Sequence, residues 1–205
     1  MAHKTILLKH IYPKDRLAIG VLAKSGACSR ETFHKMNISD NRIKSYKQAN
    51  LIKEVYVPDK HSTSGKTYYE LTPTKGQSFC RSECNIDKFI SNGHATKHNA
   101  AVADAVSNLS KTEIASCISE RDIREEFLSE RLQELYNQQE KDEYEELLES
   151  IQNHSLSMPD IIYKSDVSGT FEAREIVTDS YGKAEIINKL ESCEKMGIPI
   201  QIIHT

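Results

Sequence analysis

The chain changes the sign of its charge part-way along. Residues 1–83 carry 15 Lys and Arg against 7 Asp and Glu, a net of +8. Residues 84–205 carry 12 against 23, a net of −11, and the two give the −3 of the whole 205-residue chain. A basic front half on an acidic back half points to two modules. Only the first is charged for a polyanion such as nucleic acid. The length is enough for one sizeable domain or two small ones.

Other features narrow the class. No run approaches eighteen apolar residues, so no membrane span is expected. The apolar run in "MAHKTILLKH" is too short for a secretory signal. Five cysteines, Cys28, Cys80, Cys84, Cys117 and Cys193, are an odd number and widely spaced. They read as reduced thiols of a cytoplasmic protein. Cys80 and Cys84 lie one helical turn apart, and a metal site would need two further close ligands. No metal or cofactor is expected.

The front half reads as three helices and a hairpin. "DRLAIGVLAKS" (15–25) is a short buried helix, with Leu17, Ile19, Val21 and Leu22 apolar. In "CSRETFHKM" Ser29 is an N-cap, with Phe33 and Met36 on one face. Asn37 and Ile38 make a turn. Ser39 or Asp40 then caps a third helix, "NRIKSYKQANLI", with Ile43, Tyr46 or Lys47, and Leu51 at helical spacing. Two β-type runs, "IKEVYVP" and "KTYYELT", flank the polar loop "DKHSTSG". Pro73 opens a further helix, "PTKGQSFCRSE".

This order, over about residues 12–83, resembles the winged helix-turn-helix of transcription regulators. The "NLI" step into the hairpin and the "ELT" and "KG" exit add to the likeness. The resemblance implies that the third helix enters the major groove and that the hairpin loop meets phosphate or minor groove. Asn41, Arg42, Lys44, Ser45, Lys47 and Gln48 would supply donors and amides to base edges. Lys60, His61, Ser62, Thr63, Ser64 and Lys66 would suit phosphate contacts. Such modules also serve protein–protein contacts, but the +8 charge favours DNA.

In the back half, residues 84–95 read as a linker. "KHNAAVADAVSNLSK" carries a helical stripe of Ala101, Val102, Ala105, Val106 and Leu109. "TEIASCISE" alternates Ile114, Ser116 and Ile118 and reads as a strand. Residues 120–152 form one or two acidic amphipathic helices around "NQQEKDEYEE", with a solvated face or a partner-binding one. "PDIIYKS" and "TFEAREIVT" are strands joined by the turn "DVSG". "YGKAEIINKLESCEKMG" is a helix ending at Gly197, and "IPIQIIHT" is a last strand.

Residues 96–205 resemble the core of the PD-(D/E)xK nuclease-like fold, with the acidic helices as an insertion. The fold class expected is therefore α+β, a winged helix-turn-helix (1–83) followed by an α/β nuclease-like domain (96–205). In active members two acids hold a divalent metal and a lysine two residues after the second acid stabilises charge at phosphate. Asp160 matches the first acid and Glu175 the second. The lysine position is Val177. The alternative frame, Glu172 to Arg174, faces the other side of the strand. Lys183 or Lys189 on the next helix would have to reach in instead.

The combination of a winged helix, a helix with His98, the Pro-Asp of Asp160 and the acid Glu175 resembles the replication-relaxation family of plasmids and integrative elements. That family often lacks the nuclease lysine. The resemblance implies a non-enzymatic, site-specific binder of double-stranded DNA, accessory to conjugative transfer or replication. The partners it implies are DNA, a relaxase or replication protein, and a second copy of the chain. The alternatives are a metal-dependent nuclease with a displaced lysine, and a transcription regulator with an acidic dimerisation domain.

Overall fold

Pro13 starts the first helix, α1 (Pro13–Ser25), where its missing N–H costs nothing. The Asp15 carboxylate accepts the Tyr12 N–H at 2.7 Å, and Gly26 ends the helix at φ 91°. These elements belong to a computed structural model that describes residues 8, 10–59, 64–87, 89, 96–178 and 181–205. The architecture is α+β with two sheets. The chain divides into two units, 1–115 and 116–205.

In the first unit α1 is followed by β1 (Cys28–Ser29), α2 (Arg30–Lys35) and α3 (Asp40–Gln48). The Ser29 hydroxyl accepts the Thr32 N–H at 3.1 Å, the N-cap expected of it. Asn37 and Asn50 take left-handed conformations, at φ 60° and 56°, and turn the chain after α2 and α3. The hairpin of β2 (Ile52–Pro58) and β3 (Gly65–Leu71) pairs Val55 with Tyr68, and β1 adds to β3, giving the order β1-β3-β2.

The two faces of β3 divide the packing of this unit. Tyr69 meets Phe33 edge-on at 5.6 Å, and Phe33 lies 6.2 Å from Tyr46; Ile19, Leu22, Ile38 and Ile43 of the same unit are buried as well. Tyr68 points to the other face, with Ala27 and Ala100. Past the hairpin, α4 (Lys75–Phe79) runs into a π-helical turn, Cys80–Cys84. A Cβ on Gly76 would come within 2.2 Å of the Leu51 carbonyl, so only glycine fits there. Two further helices, α5 (Thr96–Ser107) and α6 (Lys111–Ser116), follow.

Two expectations change here. The α5 segment, assigned by sequence to the second module, lies in the first unit, and the division falls after Ala115 rather than at 84–95. Its stripe of Ala100, Ala103 and Val106 is buried, and Ala100 finds its apolar partners in Tyr68 and Ala27. Of the expected linker, residues 88 and 90–95 lie outside the described residues. The strand expected over 112–120 is instead α6, followed by a two-residue β4 (Ile118–Ser119). The Ser110 hydroxyl accepts the Glu113 N–H at 3.1 Å and the Glu113 carboxylate accepts the Ser110 N–H at 2.9 Å. This capping box starts a helix over the alternating pattern.

In the second unit β4 leads through α7 (Glu120–Asp122) and a π-helical turn, Ile123–Phe127, into α8 (Leu128–Gln138). Gln139, at φ 63°, turns the chain into α9 (Lys141–Gln152). Then come β5 (Ile161–Lys164), β6 (Phe171–Val177), α10 (Lys183–Lys195) and β7 (Ile200–His204). The sheet order is β4-β5-β6-β7. The first three strands are antiparallel, and β7, reached through α10, runs parallel to β6. One face of this sheet packs Ile162 and Ala173 against Ile123, Phe127, Leu135, Leu147 and Cys193. Among the described residues no helix is long and apolar enough to cross a membrane.

Candidate functional site

Two groups of the expected residues are built by the fold, one in each unit. The first is the surface of α3. Ile43 and Tyr46 anchor this helix in the core, which leaves Asn41, Lys44 and Gln48 on an exposed stripe at helical spacing. Ser45 is half-buried and its hydroxyl donates to the Asn41 carbonyl at 2.9 Å. Lys47 pairs with Glu54 on β2 at 2.6 Å. Lys66 is exposed on β3, and Ser64 is exposed beside it. Lys60, His61, Ser62 and Thr63 lie outside the described residues.

Arg42 is placed differently from expectation. Its guanidinium turns inward and donates to Asp15 at 2.9 and 2.5 Å, and to the His10 carbonyl at 2.6 Å. It lies over the Tyr12 and Tyr46 rings, 5.4 and 5.5 Å from their centres. The Tyr46 hydroxyl also donates to Asp15, at 2.6 Å. Asp15 is fully buried. Burial pushes its carboxyl up, but Arg42, Tyr46 and the Tyr12 N–H together hold it below the usual carboxylate range. The group ties α3 to α1, so Arg42 orients the helix rather than presenting a donor to a base edge. An Arg on a basic helix gave no sign of this, because its partner stands 27 residues away.

The stripe that remains is an amide, an ammonium and a second amide. Amide side chains can make paired hydrogen bonds to adenine edges, and lysine can reach guanine edges or phosphate.

The second group joins the two acids. The Asp160 N–H donates to Glu175 Oε2 at 3.0 Å, and the Ile176 N–H donates to Asp160 Oδ2 at 2.8 Å. Lys189 from α10 enters beside them, with Nζ 3.1 Å from Glu175 Oε1 but without hydrogen-bond geometry to it. The same ammonium donates to the Met158 carbonyl. Glu175 is fully buried, and the Lys189 side chain is 13% exposed. Burial pushes the Glu175 carboxyl up and the Asp160 charge adds to it, while Lys189 opposes. Burial and the same two acids push the Tyr181 phenol up as well. Tyr181 was not expected in this group, and its only sequence signal is its place two residues before α10.

His98 is half-buried in α5 and belongs to the first unit, whereas Asp160 and Glu175 belong to the second. Lys183 is exposed at the start of α10, so Lys189 is the helix lysine that pairs with Glu175.

A divalent ion does not fit this donor set. Mg²⁺ needs near-octahedral oxygen ligands and keeps several waters. Glu175 offers no exposed oxygen, and one oxygen of each acid is engaged by a backbone N–H. The charge facing Glu175 is already supplied by an ammonium. Among the described residues no group of three or more His, Cys, Asp or Glu is placed to hold a metal.

No family model, curated protein or solved structure matches the chain.

Proposed function

We propose that the protein is a site-specific binder of double-stranded DNA. The observation that carries this reading is the exposed stripe of Asn41, Lys44 and Gln48 on α3, in a basic segment that also presents Lys66 on the hairpin. In this reading residues 13–71 act as a winged helix-turn-helix. The helix α3 enters the major groove and the hairpin lies against phosphate. The order of elements, with β1 added to the hairpin, supports that assignment.

The second unit serves as a nuclease-like scaffold that does not cut. Its three antiparallel strands, crossover helix and parallel fourth strand support the PD-(D/E)xK likeness. Its role is to contact a second copy, a relaxase or a replication protein. The protein would then be an accessory factor of a plasmid or integrative element in transfer or replication. Protection mapping of the element's own DNA tests this: a discrete protected site supports it, and uniform coverage of all sequences contradicts it.

A second reading, a metal-dependent nuclease, is favoured by one observation, the approach of Lys189 to Glu175. The burial of Glu175 weighs against it. A plasmid nicking assay with Mg²⁺ or Mn²⁺ separates the two. Nicking by the wild type that Asp160→Ala and Glu175→Ala both lose would establish the enzyme.

A further inference from the structure

The hairpin of α8 and α9 is held by Leu135 and Leu147, both buried in the core of the second unit. Gln139, in the left-handed region at φ 63°, reverses the chain between the two helices. Beside this turn the surface changes character. Tyr136, the residue after Leu135, is 67% exposed. Its ring stands 6.1 Å from that of Tyr144, tilted by 59°. The two rings, with Leu135, Lys141 and Glu145, line an open groove at the tip of the hairpin.

We propose that this groove docks an arginine-rich segment of a partner protein, with one guanidinium stacked on Tyr136 and bonded to Glu145. Such docking rests on the partner-contacting role proposed for the second unit and does not require the first unit to read DNA.

Charge selects the class of partner. Residues 128–152 carry 8 Asp and Glu against 2 Lys and Arg, a net of −6. That surface repels nucleic acid, anionic lipid and the same hairpin of a second copy, and it attracts a basic segment. Both of its own cations are engaged, Arg131 with Glu134 at 3.1 Å and Lys141 with Glu145 at 3.6 Å. The Lys141 and Glu145 side chains are 80% and 63% exposed, so water screens their pair and an incoming guanidinium can take the carboxylate.

The rings select arginine over lysine. A guanidinium is planar, lies flat on an aromatic face and keeps its edge donors for a carboxylate. The chain makes this contact elsewhere, with Arg42 over Tyr12 and Tyr46, and Arg174 over Tyr163 at 5.1 Å. Among the described residues no cation lies over Tyr136 or Tyr144.

The test is titration of the full-length protein with a short arginine homopeptide, followed by calorimetry and by backbone amide signals in NMR. The signals of residues 135–145 should shift, and binding should weaken with salt. A lysine homopeptide of equal length should bind less tightly. Tyr136→Ala leaves the charge unchanged and should weaken the arginine peptide about fivefold, the effect of one exposed cation–π contact. Should that variant fail to fold, Tyr136→Phe, which should bind as the wild type does, and Glu145→Gln, which should bind more weakly, still decide. Duplex DNA binding should be the same in all three variants, so a failure of the DNA reading and a failure at this groove are separate results. No binding of the arginine peptide, equal binding of the two peptides, shifts away from the hairpin, or Tyr136→Ala binding as the wild type does would overturn the inference. So would self-association that Tyr136→Ala abolishes, since the occupant would then be a second copy.

Discussion

Arg42 and Asp15 are joined by two hydrogen bonds, at 2.9 and 2.5 Å, with the carboxylate fully buried and the guanidinium side chain 18% exposed. An Arg on the outer helix of a basic module is thereby a brace between α1 and α3. Removing it leaves a buried carboxylate without its main partner. Arg42→Ala is expected to lower stability by about 3–5 kcal/mol, the range for breaking a buried pair. Urea denaturation measures it. The Asp15 carboxyl is held below its ordinary 3.8 in the folded state, so its contribution is present above that value and is lost as pH falls through the lower folded value.

In the proposed DNA-binding reading, base recognition then rests on fewer residues. Gln48→Ala is expected to cost about 1–3 kcal/mol on the specific site and to relax preference at one position. Lys66→Ala is expected to weaken specific and random duplexes alike, because a phosphate contact carries no sequence information. Competition titrations with both duplexes distinguish the two patterns. Equal effects from both variants would remove α3 from base reading.

Lys189 and Glu175 give a pH signature. The folded state holds the Glu175 carboxyl above its ordinary 4.5. The native state therefore binds more protons, and stability from this group falls as pH rises through the window above 4.5. Lys189 opposes that shift, so Lys189→Met widens it. The variant should lose about 3–5 kcal/mol near pH 8, and less at a mildly acidic pH, as protonation of Glu175 removes the unpaired charge. Paired denaturation curves at the two pH values provide the check. A loss independent of pH would show that the ion pair is not what Lys189 contributes.

The boundary after Ala115 makes a prediction about fragments. Residues 1–83 lack α5, which would leave Tyr68 and Ala27 without their Ala100 partner. Each large apolar side chain uncovered costs about 1.5–3 kcal/mol. A fragment of residues 1–115 should unfold cooperatively and at higher urea than one of residues 1–83. Equal midpoints would return α5 to the second unit.

Much of the first unit was legible because its signals are local. Ser29 caps α2, Asn37 turns the chain, and the run "KTYYELT" forms β3. What failed to show was set by distant partners. Arg42 reads as a surface donor until Asp15 is placed beside it, and α5 reads as part of the acidic half until Ala100 meets Tyr68. The second site was half legible. Asp160 and Glu175 are legible as acids at strand positions, but nearly two turns of α10 separate Lys183, which is exposed, from Lys189, which pairs. Only the angle of the crossover helix chooses between them. The misread strand at 112–120 had a local answer: the Ser110–Glu113 capping box was a sequence signal stronger than the alternation it overrode.

The central claim is that α3 reads double-stranded DNA, and one titration tests it most directly. Full-length wild type, Lys44→Ala and Gln48→Ala are measured against a duplex selected from a random pool, across a range of salt. If about six phosphates are neutralised, log K of the wild type should fall with a slope of roughly −5 against log salt. Gln48→Ala should lose affinity for the selected duplex while keeping that slope. No binding at low salt, affinity indifferent to salt, or α3 variants that bind the selected duplex as the wild type does would contradict the account.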